Sequence, residues 1–273
     1  MTTPNRQHRR VVPGSAHSPV VLHVPHGSRH IPESVREHIL LDDAALTLEL
    51  DRMTDTDTDL LAAVAAQDAG ERPWIFENLT SRLVVDPERF PDEREEMRQV
   101  GMGAVYTATS HGEQLRADDP AHARLLIAEF FEPYAQALTD VVEERLAATG
   151  RAVIIDVHSY PSRALPYELH AADARPAVCL GTDDLHTPGR LLDAARAAFG
   201  ECGEIALNTP FSGCYVPLRH YRSRREVSAL MIEIRRDTYL LEPAGPRTAG
   251  FPALTKALTA LIDQAGSPNV EVR

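Results

Sequence analysis

Residues 152–160 read AVIIDVHSY. The first six, Ala152 to Val157, form a β-branched, mainly apolar run with Asp156 in it, bounded on both sides by polar residues. A run of that length and composition is a buried strand rather than a helix. It stops at His158-Ser159, so the strand delivers an imidazole and a hydroxyl to its own end. If the extended backbone continues that far, Asp156 and His158 lie on the same face, because alternate strand residues point the same way.

Working outward, other segments repeat this design. Val20 to Val24 is a short β-branched run that ends at Pro25-His26-Gly27. Val227 to Ile234 is a third strand, with Glu233 near its end. Pro176 to Leu180 and Glu204 to Leu207 are shorter strand candidates. Helical patterns lie between them: Asp55 to Gln67, Ala121 to Ala148 with a bend expected near Pro133, Pro188 to Phe199, and Phe251 to Ala265. Proline removes a helical donor and crowds the preceding turn, hence the bend. Alternating strands and helices predict an α/β fold with a mixed, mainly parallel sheet flanked by helices. No internal repeat is visible. Residues 18–265 read as one domain, with loose ends at 1–17 and 266–273.

The chain has 273 residues, enough for a sizeable core. Its 43% hydrophobic and 25% charged residues are those of a folded soluble protein. The formal net charge of -12 argues against sequence-independent nucleic-acid binding, and the basic stretch Arg6 to Arg10 is short. Cys179, Cys202 and Cys214 form neither a disulfide framework nor a CxxC metal site. No apolar run reaches membrane-spanning length, and residues 1–17 lack the apolar segment of a secretory signal, so a cytoplasmic location is the expectation.

His26, His158 and Glu233 all fall at or just past the C-terminal ends of predicted strands. In open α/β sheets that edge is where ligands bind. Each histidine is a metal-ligand candidate, the plainer alternative being a structural hydrogen bond. Asp156 could orient His158. Catalytic metal sites commonly combine histidines with one carboxylate. Asp51 and Asp55 stand four apart, which would place both near one helix face, and either could supply it. Acids at a helix start also serve the dipole, which explains Asp57 and Asp59. Glu233 sits in an apolar strand, so it needs a partner or a task. It could be a general base, or an ion-pair partner of Arg235. Arg82 and Arg89, in SRLVVDPER, could grip a carboxylate.

Seven segments, taken in order, resemble the N-formylglutamate amidohydrolase family: VPHGSRHIP (24–32), LDRMTD (50–55), SRLVVDPERFPDE (81–93), DVHSYPS (156–162), CLGTDDLHTP (179–188), LNTPFSGCYVP (207–217) and ALMIEIRRDTYL (229–240). The resemblance implies a zinc-carboxypeptidase-like (phosphorylase/hydrolase-like) fold and a single zinc ion held by His26, His158 and a carboxylate. That carboxylate is Asp51, with Asp55 as the alternative. It implies Glu233 as general base, Arg82 as a carbonyl-polarising or substrate-binding group, and Arg89, Asn208, Ser159 and Gly213 as substrate contacts. The substrate would be an N-acyl amino acid such as N-formylglutamate.

This chain departs from the family pattern around the pocket. Glu88 stands where asparagine is common, Cys214 follows Gly213 in place of a second glycine, and PYELH (166–170) replaces a small-residue stretch. These differences leave open another N-acyl compound or short peptide as substrate. A silent binding protein on the same scaffold is the alternative of another class.

Overall fold

The computed structural model describes residues 8–169 and 171–267. Its centre is a seven-stranded sheet in the order β1-β3-β2-β4-β7-β5-β6. The strands are β1 (Arg9–Val12), β2 (Val20–Val24), β3 (Trp74–Asn78), β4 (Ala152–Tyr160), β5 (Val178–Gly181), β6 (Ile205–Leu207) and β7 (Val227–Arg235). The four central strands β3, β2, β4 and β7 run parallel. At one side β1 joins β3 antiparallel. At the other, β5 turns antiparallel to β7 and carries β6 parallel to itself. The sheet is thus mixed and mainly parallel, with helices on both faces.

The helices are α1 (Glu33–Arg36), α2 (Asp43–Met53), α3 (Thr58–Asp68), α4 (Pro120–Leu126), α5 (Glu132–Thr149), α6 (Gly189–Phe199) and α7 (Phe251–Gly266). Strand periodicity explains how they share the sheet. Val153, Ile155 and Val157 of β4 face the cluster that contains Leu61 of α3, Phe199 of α6 and Leu258 of α7. Ala152 and Ile154 face Leu138 and Val142 of α5. With both faces covered, every position of β4 is buried, the polar Asp156, His158 and Ser159 included. Helix α7 buries Leu254, Ala257, Leu258, Leu261, Ile262 and Ala265, the three-and-four spacing of one helical face.

The expected bend near Pro133 takes the form of one wide turn. Ile127–Phe131 is π-helical between α4 and α5, and Pro133, which has no N–H to give a helical bond, follows it directly in the first turn of α5.

Two expectations are corrected. The segment 1–17 is not wholly a loose end: Arg9–Val12 is a sheet strand, and Arg10 Nε donates to Glu77 at 2.5 Å. Four residues are too few to show an alternation, and an edge strand is held by backbone pairing rather than by pattern. Residues 1–7 and 268–273 of the expected tails lie outside the described residues. Asp51 and Asp55 do not share a helix face either. Helix α2 ends at Met53, and Thr54 is extended at φ -82°, ψ 135°. Asp57 is left-handed at φ 63° before α3 begins. Asp55 therefore sits in a break between helices.

Candidate active site

The polar ends of β2, β4 and β7 meet on the sheet face that α5 covers. His158 of β4 lies opposite Glu233 of β7 in the parallel register. His26 follows β2 by two residues. The break after α2 is tied to it by the backbone, Asp55 N–H donating to His26 O at 3.0 Å. Thr58 closes the turn by donating its hydroxyl to Asp55 O at 2.8 Å. A Cβ at position 27 would lie 3.2 Å from that same hydroxyl, so Gly27 lets the two loops approach closely.

Three side-chain atoms converge as a result. His158 Nδ1 is 3.1 Å from Asp55 Oδ2 and 3.3 Å from His26 Nδ1, and His26 Nδ1 is 3.7 Å from the same oxygen. Tetrahedral coordination with bonds of ~2.0–2.2 Å requires ligand atoms roughly 3.3–3.6 Å apart. The residues present fit a divalent ion.

The surrounding contacts favour the same orientation. His26 turns its Nε2 to Asp86 Oδ1 at 2.9 Å, which directs the bare Nδ1 inward. Asp86 is wholly buried and also receives Arg82 at 2.7 Å and the Tyr106 hydroxyl. Arg236, nearly buried, reaches Asp55 Oδ1 at 3.3 Å and Ser159 Oγ at 3.2 Å. His158 turns Nε2 towards Asp156 Oδ1 at 3.1 Å and Glu88 Oε2 at 3.2 Å, but it aligns with neither, and the nitrogen has no hydrogen-bond partner.

The titration behaviour follows from this crowding. Burial alone would raise the carboxyl of Asp55, yet His158 and His26 hold it well below the usual range. Burial acts the same way on Asp86 and is overcome by Arg82 and His26. Burial opposes charge on His158, but Glu88 and Asp156 carry it well above the usual imidazole value. Burial and Arg82 oppose charge on His26, and Asp86 and Asp55 outweigh them. Without an ion the imidazoles gather protons, which a metal would displace.

Glu233 behaves differently. Burial raises it to about 7; His158 opposes the rise and Asp55 adds to it. Its Oε2 is buried with no hydrogen-bond partner. The expected ion pair with Arg235 does not form, because Arg235 turns to Asp237 at 2.7 Å.

A cavity of about 680 Å³ opens over this cluster, walled by the segment 86–91, the N-terminal half of α5 and the segment 210–216. His26, Asp55, Arg82, Arg89, His158, Ser159, Gly213 and Glu233 all line it. Arg89 Nε is buried without a hydrogen-bond partner, although carboxylates of Asp86 and Glu95 lie 3.7 and 3.6 Å from its guanidinium. Two expected residues stand apart. Asp51 pairs with Arg29 at 2.7 Å and does not line the cavity. Asn208, at φ 52°, accepts from Thr182 N at 2.9 Å and Gly213 N at 3.3 Å, shaping the turn behind the wall rather than facing the pocket.

Asp86 and Arg236 were not singled out from the sequence. Asp86 ends the apolar run LVV, the same signal of a charge needing a task that marks Glu233. Arg236 shows no such local sign.

Fold and site together define an α/β protein with a candidate metal-binding pocket at the C-terminal ends of its parallel strands. A family model described as N-formylglutamate amidohydrolase matches residues 18–240, and the chain belongs to that family. Among solved structures it is similar to an N-formylglutamate amidohydrolase from Ralstonia eutropha JMP134, at 23% identity and a TM-score of 0.76, covering 93% of this chain and 95% of the other. It is also similar to gene product Atu2144 from Agrobacterium tumefaciens, at 20% identity and a TM-score of 0.71, covering 96% and 95%. A search of the curated proteins finds no match. No helix among the described residues is long and apolar enough to cross a membrane.

Proposed function

We propose that the protein hydrolyses the N-formyl or a related N-acyl amide of an amino acid such as N-formylglutamate, with a divalent ion, zinc by preference, held by His26, His158 and Asp55. The observation that carries this reading is the convergence of three ligand atoms in the cavity that Glu233 also lines, its buried Oε2 without a hydrogen-bond partner among the described residues.

When bound, the ion supplies Lewis acidity that makes water a competent nucleophile near neutral pH. Glu233 takes the proton of the attacking water as the water oxygen bonds to the acyl carbon. A carboxyl titrating near 7 suits that exchange, since a base works best near the operating pH. Glu233 then returns the proton to the leaving nitrogen as the amide bond breaks. Arg82 faces the cavity while bound to Asp86, so it is held rigidly where negative charge develops on the acyl oxygen. Arg89, with its buried and unpartnered Nε, is the group for the substrate carboxylate. Asp86 and Arg236 hold the ligands His26 and Asp55 in place. Asp51, outside the cluster, is not needed.

The test is formate release from N-formylglutamate and a panel of other N-formyl and N-acyl amino acids, with and without chelator. Release that chelator abolishes and zinc restores supports the reading. Protein holding an ion but inert on the whole panel refutes it.

A further inference from the structure

Behind the proposed metal triad lies a second group of ligating side chains that the reaction above does not use. His23 Nδ1 is 2.8 Å from Asp156 Oδ1 and 3.5 Å from Glu88 Oε1. His158 Nε2, on the far edge of that imidazole, is 3.1 Å from Asp156 Oδ1 and 3.2 Å from Glu88 Oε2. One of the four separations falls within the roughly 3.3–3.6 Å edge of a tetrahedral site with bonds of ~2.0–2.2 Å, and the other three are shorter by 0.1–0.5 Å, so the group closes around a space of ion size. The His158 side chain is 3% exposed, and its Nε2 points into the group without a hydrogen-bond partner. Glu88 Oε1 is likewise buried and unpartnered.

Charge leads to the same place. Asp55 has Arg236, and Asp86 has Arg82 and Arg89. Among the described residues the ion-pair partners of Glu88 and Asp156 are histidines alone. Buried Asp156 and partly buried Glu88 lie side by side with no arginine or lysine between them, an arrangement that favours a cation.

We infer that His23, Glu88 and Asp156, joined by the outer nitrogen of His158, form a second divalent-cation site. Two imidazole nitrogens and two carboxylates suit a borderline ion such as zinc, manganese or cobalt. The hydrogen bond between His23 and Asp156 does not prevent this. The other His23 nitrogen lies against the Tyr134 hydroxyl, which can accept a hydrogen bond from Nε2–H, so the tautomer with a bare Nδ1 is available. When the second ion binds, the Nε2 proton of His158 leaves to solvent, and the imidazolate bridges two cations. This step relies on the proposed triad for the inner nitrogen only.

The experiment counts metal. The full chain is stripped with chelator, titrated with Zn²⁺ in a calorimeter, and the bound metal is measured by elemental analysis against protein concentration. The same is done for Glu88→Gln and Asp55→Ala. The expected result is two ions per wild-type chain and one in each variant. Titration with Cu²⁺ should show the spin signal of the first equivalent diminishing as the second binds, because a bridging imidazolate couples the two centres. A wild-type chain that saturates at one ion, lost in Asp55→Ala and kept in Glu88→Gln, overturns the second site and leaves the proposed reaction standing. One ion lost in Glu88→Gln and kept in Asp55→Ala overturns the proposed triad instead. Even if a variant fails to fold, a wild-type count of two with the coupled spin signal supports the bridged pair, and a wild-type count of one overturns it.

Discussion

Glu233→Gln should make the protein slower and, without metal, more stable. The carboxyl is lifted from 4.5 to about 7, chiefly by burial, because no donor compensates for the lost water. Its folded pKa stands above its unfolded one, so the wild type loses stability as pH rises from about 4.5 through 7. Above that window the full difference applies, about 3 kcal/mol for a shift of this size. Glutamine is nearly isosteric and does not titrate, so it escapes this cost. For a chain of this length that energy corresponds to about 5 °C in melting temperature. The assay is thermal unfolding of chelator-treated wild type and variant between pH 4.5 and 8.5. The two should melt together at the acid end and separate progressively to the alkaline end, the variant higher. In the metal-loaded protein the same change should lower kcat roughly 10²-fold or more, the loss expected of a general base. A melting difference independent of pH would show that Glu233 is not an uncompensated buried carboxylate. An unchanged kcat would show that it is not the base. Such a pairing of gained stability with lost activity is expected where a site holds strain for function.

Four further outcomes follow from the same geometry. Asp55→Ala should lose one metal ion per chain and all activity, whereas Asp51→Ala, which breaks only the partly exposed pair with Arg29, should keep the wild-type metal content and activity; elemental analysis and formate release decide it. Asp86→Asn should weaken metal affinity by roughly 10–100-fold, as loss of a carboxylate behind a ligating histidine does, read by competition with a chromogenic chelator. Arg89→Ala should raise KM for substrates with a free carboxylate far more than for their methyl esters, and equal effects on both would remove Arg89 from recognition. Leu258→Ala, fully buried between α7 and the sheet, should cost about 3 kcal/mol in denaturant unfolding with little change in the metal site.

Much of the architecture was legible along the chain because its signals are local. A β-branched stretch such as 152–157, interrupted only by Asp156 near its end, fits the middle of a covered sheet, and the three-and-four spacing of α7 fits a core-facing helix. Those patterns also place His26, His158 and Glu233 at one sheet edge, since the side-chain direction at a strand end follows from period and polarity. The order of the seven short motifs pointed to the family without help from packing.

Other features depended on tertiary contacts between residues far apart in sequence. Whether Asp51 or Asp55 meets the histidines turned on where α2 stops, and the break is held by the bond from Asp55 N–H to His26 O across the fold. Asn208 was drawn away from the pocket by Thr182 and Gly213. Arg235 found Asp237 nearer than Glu233, which left the glutamate unpaired. Glu88 read as a single departure from a motif, and only the meeting of its loop with β2 and β4 set it against His23, Asp156 and His158. Periodicity determines which way a side chain points. Which partner it meets depends on how elements a hundred residues apart pack together, and the chemistry of this site lies in those meetings.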